Sequence, residues 1–243
     1  MGTGGSAIRL CAPGEGIKKM INTPKIYKMR IVFRWSAPAA DTRDVPAVLR
    51  QLVVDSGLAY VPCKPGSPVP RLSYGPSAAK GIITEREYAD IYVYPSVSAS
   101  EVAAKLTEKK PSGFTLLQVV RVPYALAGVQ QLASAAVYRV EGPFSAYTPV
   151  TAETYFNAPR VEVTRRAANG MTFSYDAKPY VQQVKTLGPQ TVQLTLACVH
   201  GKWMSPQTLV GAWLGTDPAA CDNIRLIRES LLWQDTAGAY HLI

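Results

Sequence analysis

The chain has 243 residues, 47% of them apolar and 18% charged, with 26 lysines and arginines against 17 aspartates and glutamates and a formal net charge of +9. That length allows one large domain or two small ones, and the composition is that of a soluble globular protein rather than a disordered, collagenous or membrane chain. The longest uncharged, largely apolar runs, such as Leu132 to Val137, fall well short of the ~20 residues that cross a bilayer, so no membrane association is expected.

The positive charge is unevenly placed: residues 1–28 carry +4, residues 29–124 carry +4 and residues 125–243 carry only +1. Such a distribution suits contact with a polyanion at the N-terminal end, although many proteins with this bias bind none. Residues 1–28 are Gly-rich, then basic, and have no apolar leader, so they read as a disordered basic extension of a cytoplasmic protein. A first domain is expected over 29–124 and a second over 125–243.

Met29 to Trp35 alternates Ile31, Phe33 and Trp35 with Arg30, Val32 and Arg34, the period of a half-buried strand. Asp41 or Thr42 can cap a helix that carries Val45, Val48, Leu49, Leu52 and Val53 and stops at Gly57, with Pro46 tolerated in its first turn. Leu58 to Cys63 and Arg71 to Gly75 read as one strand or two short ones, broken by the Pro-rich loop from Lys64 to Pro70. Glu87 to Tyr94 alternates Tyr88, Asp90, Tyr92 and Tyr94 against Ala89, Ile91 and Val93, a strand with one buried face. Ser98 and Glu101 form a capping box ahead of a helix with Val102 and Leu106 inside, and Phe114 to Val122 is a long strand. This order predicts an antiparallel ferredoxin-like sheet with both helices on one face.

After a link containing Gly128 the order recurs. A strand over 135–141, a brief helix over 151–157, strands over 160–166, 171–175 and 190–199, a helix over 206–214 and a strand over 224–233 are predicted. Ser205, Pro206 and Gly215 bound the last helix, with Leu209, Val210, Trp213 and Leu214 on its inner face. The expected fold class is therefore α+β, two tandem ferredoxin-like (βαββαβ) domains with antiparallel sheets. The halves share a pattern and no sequence repeat.

Motifs for catalysis are scarce. Cys11, Cys63, Cys198 and Cys221 lie far apart without metal-site or cluster spacing, so neither a metal nor a cofactor is expected in the chain. His200 and His241 accompany no recognisable nucleophile, and His200 before Gly201 reads as a solvated turn residue. No phosphate-binding Gly-rich motif occurs. These features lean against an enzyme.

The basic and aromatic residues point elsewhere. Tyr88, Tyr92 and Tyr94 share a side of one strand with Asp90, and an exposed tyrosine row on a four-stranded sheet can stack unpaired bases. The same row can instead pack on neighbouring strands or on the second domain. Lys64, Arg71 and Lys80 on the loop from Lys64 to Gly81 could grip phosphates, or be an ordinary solvated loop. Arg165-Arg166 beside Asn169-Gly170 makes a basic hairpin tip, usually a solubility device.

At Val69-Pro70-Arg71-Leu72-Ser73-Tyr74-Gly75-Pro76 and Glu87-Tyr88-Ala89-Asp90-Ile91 the chain resembles the radical SAM-linked domain of unknown function, found in bacteria fused to a radical SAM protein or encoded beside one. The likeness continues through Ala136-Val137-Tyr138-Arg139-Val140, Tyr175-Asp176-Ala177-Lys178-Pro179-Tyr180 and Ile227-Arg228-Glu229-Ser230-Leu231-Leu232. Family members often have Ser-His-Leu-Asp after the first strand and a Gly-Phe-Asn-Pro-His-Pro loop. Here those regions read Ala39-Ala40-Asp41-Thr42-Arg43-Asp44 and Pro65-Gly66-Ser67-Pro68-Val69-Pro70, and both histidines are missing.

The resemblance implies an accessory role beside a radical SAM protein encoded nearby and, through the family's association with RNA-processing genes, an RNA substrate. Arg71, Ser73, Tyr74, Tyr88, Asp90, Asp176 and Lys178 match the family, and with Lys64, Lys80 and Tyr92 they form the expected RNA or partner surface. The leading expectation is a non-catalytic module that binds or presents RNA. The alternatives are a protein-protein adapter for the radical SAM partner and an enzyme with an unrecognised site.

Overall fold

The computed structural model describes residues 25–36, 45–79, 82–166, 170–216 and 223–243. The predicted cap at Asp41 or Thr42, Lys80, the extension before residue 25, Cys11 and Cys221 lie outside the described residues, as do the side chains of Arg165 and Arg166.

The alternating apolar residues from Met29 make strand β1 (Tyr27–Trp35). Helix α1 (Val45–Asp55) buries Val48, Leu49, Leu52 and Val53, with Pro46 in its first turn, where a missing N–H is harmless. A short β2 (Leu72–Tyr74) precedes β3 (Ile83–Val93). Ser98 then caps α2 (Ala99–Lys109) by accepting from the Glu101 N–H at 3.1 Å, and β4 (Phe114–Val122) follows. The strand order in this half is β2-β3-β1-β4, antiparallel throughout. Ile31, Phe33, Ala89, Ile91 and Val93 make the face on which α1 and α2 close the first core.

A connector over 123–134 contains one turn of helix, α3 (Val129–Leu132). Beyond it come β5 (Ala135–Glu141), α4 (Ala152–Phe156), β6 (Glu162–Arg166), β7 (Thr172–Asp176), β8 (Val181–Gly188) and β9 (Thr191–Val199). After the two-residue β10 (Lys202–Trp203), Ser205 caps α5 (Pro206–Leu214) by accepting from Thr208 N–H, and Gly215 ends it at φ +68°. The chain closes with β11 (Arg225–Gln234) and β12 (Tyr240–Leu242). Here the order is β8-β9-β5-β11, again antiparallel. Tyr138, Val140, Leu194, Leu196 and the inner face of α5 share the second core.

The protein is thus a mixture of helix and strand built on a large, mostly antiparallel sheet. Two expectations need correction. The halves do not keep separate sheets: β11 runs parallel to β3, pairing Ile227 with Ile83 and Arg228 with Thr84, so one ten-stranded sheet crosses both halves. β6 and β7 leave it as a two-stranded ribbon. Nor does β3 have a single buried face, because from Glu87 to Val93 every residue is buried. The reason is the connector, which lies over the side of β1 and β3 turned away from α1 and α2.

Where β11 meets β3, the guanidinium of Arg228 donates to both oxygens of Glu87, with Nε at 2.8 Å and Nη2 at 2.6 Å, and both side chains are buried. This charged clasp is the main polar link between the halves. No helix among the described residues is long and apolar enough to cross a membrane.

Candidate functional site

The pleat of β1 and β3 puts Lys28, Arg30, Tyr88, Asp90 and Tyr92 on the sheet face beneath the connector. Asp90, fully buried, takes both nitrogens of the Arg30 fork at 2.8 and 3.2 Å and lies 3.3 Å from Lys28 Nζ. Lys28 also donates to the carbonyls of Leu126 and Ala127, which ties the connector down. One carboxylate therefore faces two cations, and the site keeps a net positive charge.

Burial overturns the tyrosine row as a stacking surface. Tyr88 is 2% and Tyr92 8% exposed, so neither ring can take a base from solvent, and only Tyr94, at the strand's end, is open. Tyr88 packs into the second core, where burial raises its phenol above the ordinary pKa and the Arg86 cation opposes that shift. Asp90 likewise serves the buried ion cluster and cannot be a contact residue.

The Arg71 to Gly75 stretch holds architecture together. The Tyr74 hydroxyl donates to the Pro46 carbonyl at 3.0 Å, fixing the start of α1. Ser73 sits so close to Gly128 that a Cβ on the glycine would lie 2.5 Å from Ser73 Oγ. Gly75 donates its N–H to the Tyr88 carbonyl at 3.0 Å, and a Cβ there would meet Leu231 Cδ1 at 2.7 Å. Arg71 differs. Half-buried, it lies over the Tyr92 ring at 4.1 Å and near the Tyr124 ring at 5.7 Å, and it donates to the Tyr124 hydroxyl at 3.0 Å. Burial raises the Tyr92 phenol above its ordinary pKa, and the Arg71 cation opposes that shift. Lys64 is exposed in the turn before Arg71.

Asp176 and Lys178 make their contacts in the second half and do not join Arg71. Asp176 Oδ1 accepts from the N–H groups of Val161 and Lys178, each at 2.9 Å, and these bonds lower its carboxyl pKa. Lys178 Nζ donates to the Phe156 carbonyl at 2.7 Å. Together they close the base of the β6–β7 ribbon. His200 occupies the β9–β10 turn at φ +49°, and His241 pairs with Asp235 at 2.7 Å. Among the described residues no group of three His, Cys, Asp or Glu could hold a metal.

What remains is a cleft at the end of the β1–β4 pair, of about 510 Å³, lined by Lys25, Ile26, Tyr27, Lys28, Arg121, Val122, Pro123 and Tyr124. Its geometry follows from register: Lys28 opposes Val122 and Met29 opposes Arg121, so the residue entering β1 and those leaving β4 share one rim. The Arg121 guanidinium lies 3.4 Å from the Tyr27 ring centroid. On the connector side Tyr124, 50% exposed, meets Tyr92 edge to face at 5.9 Å and carries Arg71 on its hydroxyl. Among the described residues no acidic side chain lines the cleft. Its lining offers the Arg121 guanidinium, the exposed Tyr124 ring and the ammonium groups of Lys25 and Lys28.

Sequence reasoning singled out Arg71, which reaches this cleft only through the Tyr124 hydroxyl, and missed Lys25, Tyr27, Arg121 and Tyr124. A signal was present, because pairing the first predicted strand with the last brings residues 27 and 121 together.

A family model described as an uncharacterized protein conserved in bacteria (DUF2344) matches residues 66–206, more than half of the chain. No curated protein matches it.

Proposed function

The chain belongs to this bacterial family, and we propose that it is a non-catalytic module that binds RNA at the end of the β1–β4 pair, across the residues Lys25, Arg121 and Tyr124. The observation that carries the reading is a cation-lined, aromatic cleft with no acidic side chain among its described lining residues. Arginines held flat by tyrosines lose little freedom on meeting a phosphate, and open aromatic faces stack any base. Lys25, Arg71 and Arg121 supply the charge and Tyr124 the ring. The resemblance to the radical SAM-linked domain adds the context: the module presents its RNA to a radical SAM enzyme encoded nearby. In this reading the molecule is two tandem ferredoxin-like units fused through β11 and β3. The recurrence of one strand order in both halves supports that view.

Nitrocellulose filter retention of a single-stranded RNA across a salt series tests the proposal. Three phosphate contacts give a log-log slope of about −2 for a single strand, and Arg121→Ala should flatten it by about 0.7. No retention at low salt, or retention unchanged in the Arg71→Ala/Arg121→Ala double variant, would sink the idea. Co-purification with the radical SAM protein, with and without ribonuclease, checks the context, and an association indifferent to ribonuclease would favour an adapter instead.

A further inference from the structure

The second half carries a hollow that the RNA-binding reading does not use. Antiparallel register lines up Gln183 of β8, Thr195 of β9, Val137 of β5 and Ser230 of β11 in one row across four strands. The adjacent residues Leu194, Leu196 and Tyr138 belong to the second core, so strand alternation turns the row to the other face of the sheet. Above this row lies a hollow of about 550 Å³, bordered on the β11 side by Leu232, Tyr240 and Leu242. Its volume is that of a small-molecule site.

Two observations point to a ligand. Thr195 and Ser230 line the hollow and are each only 8% exposed, yet neither hydroxyl has a hydrogen-bond partner among the described residues. An incoming molecule can bond to both without displacing a protein group. The second observation is the charge of the lining. Among the described residues it holds no lysine, arginine or histidine, and its one carboxylate, Glu229, is already met by Arg139 Nη1 at 3.3 Å and Gln193 Nε2 at 2.6 Å. An ion entering here would find no free counter-charge, so the ligand is uncharged. It is also two-sided: the Gln183 and Gln193 carboxamides and the two hydroxyls offer donors and acceptors, while Val137, Leu232 and Leu242 offer apolar surface. Nucleobases are uncharged, flat and edged with donors and acceptors, and a carboxamide presents a matching donor-acceptor pair.

We infer that the hollow binds the base of a nucleoside, with Gln183, Gln193, Thr195 and Ser230 at its edge and the Leu232–Leu242 pair against its face, and that it holds no phosphate. The inference stands apart from the RNA-binding reading, because it concerns other residues in the other half of the chain.

Calorimetric titration of the full chain with adenosine, guanosine, cytidine and uridine at low and high salt provides the test. At least one nucleoside is expected to bind with an affinity that salt does not change, its monophosphate to bind no more tightly, and glucose not to bind. Thr195→Val and Ser230→Ala each take away a hydroxyl without a described partner. Each should leave the melting temperature unchanged or raised while weakening the nucleoside by about tenfold. Nucleoside binding equal to the parent's in both variants, tighter binding of the monophosphate, binding of glucose in place of a nucleoside, or no binding at all would overturn the inference. Competition with a short single-stranded oligonucleotide of the same base identifies the source: displacement indicates a base carried on RNA, no displacement a free nucleoside, and both support the site. RNA retention on nitrocellulose is read separately, so its failure leaves this site standing and failure of nucleoside binding leaves that reading standing.

Discussion

Asp176 illustrates how a residue shared with a family can be structural. Its Oδ1 accepts two backbone N–H groups, which stabilise the carboxylate and hold its pKa below the ordinary value. A depressed folded-state pKa means that the contribution is fully present above the unfolded value of about 4 and is lost as the pH falls through the lower folded value. Amide exchange at Val161 and Lys178 should therefore stay slow at pH 5 and accelerate only well below pH 4. In Asp176→Ala both amides should lose their protection, relative to the intrinsic exchange rate, at pH 5 as well as at lower pH. Ser73, Tyr74 and Gly75 teach the same lesson. Their identities were legible, but their partners, Gly128, Pro46 and Leu231, lie dozens of residues away, and no local pattern names them.

Among the elements, those with a strong period were legible. α1, α2 and α5 carry apolar residues at helical spacing and all three form, α2 and α5 behind the caps read at Ser98 and Ser205. β8 was missed because it buries only Val181 fully, so it shows no two-residue alternation. The connector is the costliest omission. A segment with Gly128 and four helical residues looks like a link, yet it covers the ion cluster and makes β3 a strand with two buried faces. Its seat is tight: a Cβ at residue 75 would lie 2.7 Å from Leu231 Cδ1 and 3.3 Å from Val129 Cγ1. Gly75→Ala should overpack this junction and lower stability by about 1–3 kcal/mol in urea denaturation. A neutral result would mean that α3 is loosely held.

At the scale of the molecule, β11 decides whether there are two bodies or one. Sequence pattern gave the expectation of two halves but could not foresee that β11 lies beside β3, since pairing between distant segments leaves no local periodicity. The contact carries the buried Glu87–Arg228 clasp. Glu87→Gln leaves a buried guanidinium without its counter-ion and should cost about 3–5 kcal/mol, whereas Glu87→Leu with Arg228→Met should cost much less. Thermal unfolding followed by calorimetry should show one transition for the parent. Two resolved transitions in the parent would mean that the halves melt independently.

The position of β11 also bears on how the chain is made. Residues 225–234 leave the ribosome after both of the strands they join, filling the gap between β3 and β5. Until they arrive, both neighbours present bare backbone donors and acceptors to other nascent chains. A stop codon anywhere before Arg225 should thus yield an aggregating product rather than a shortened working one.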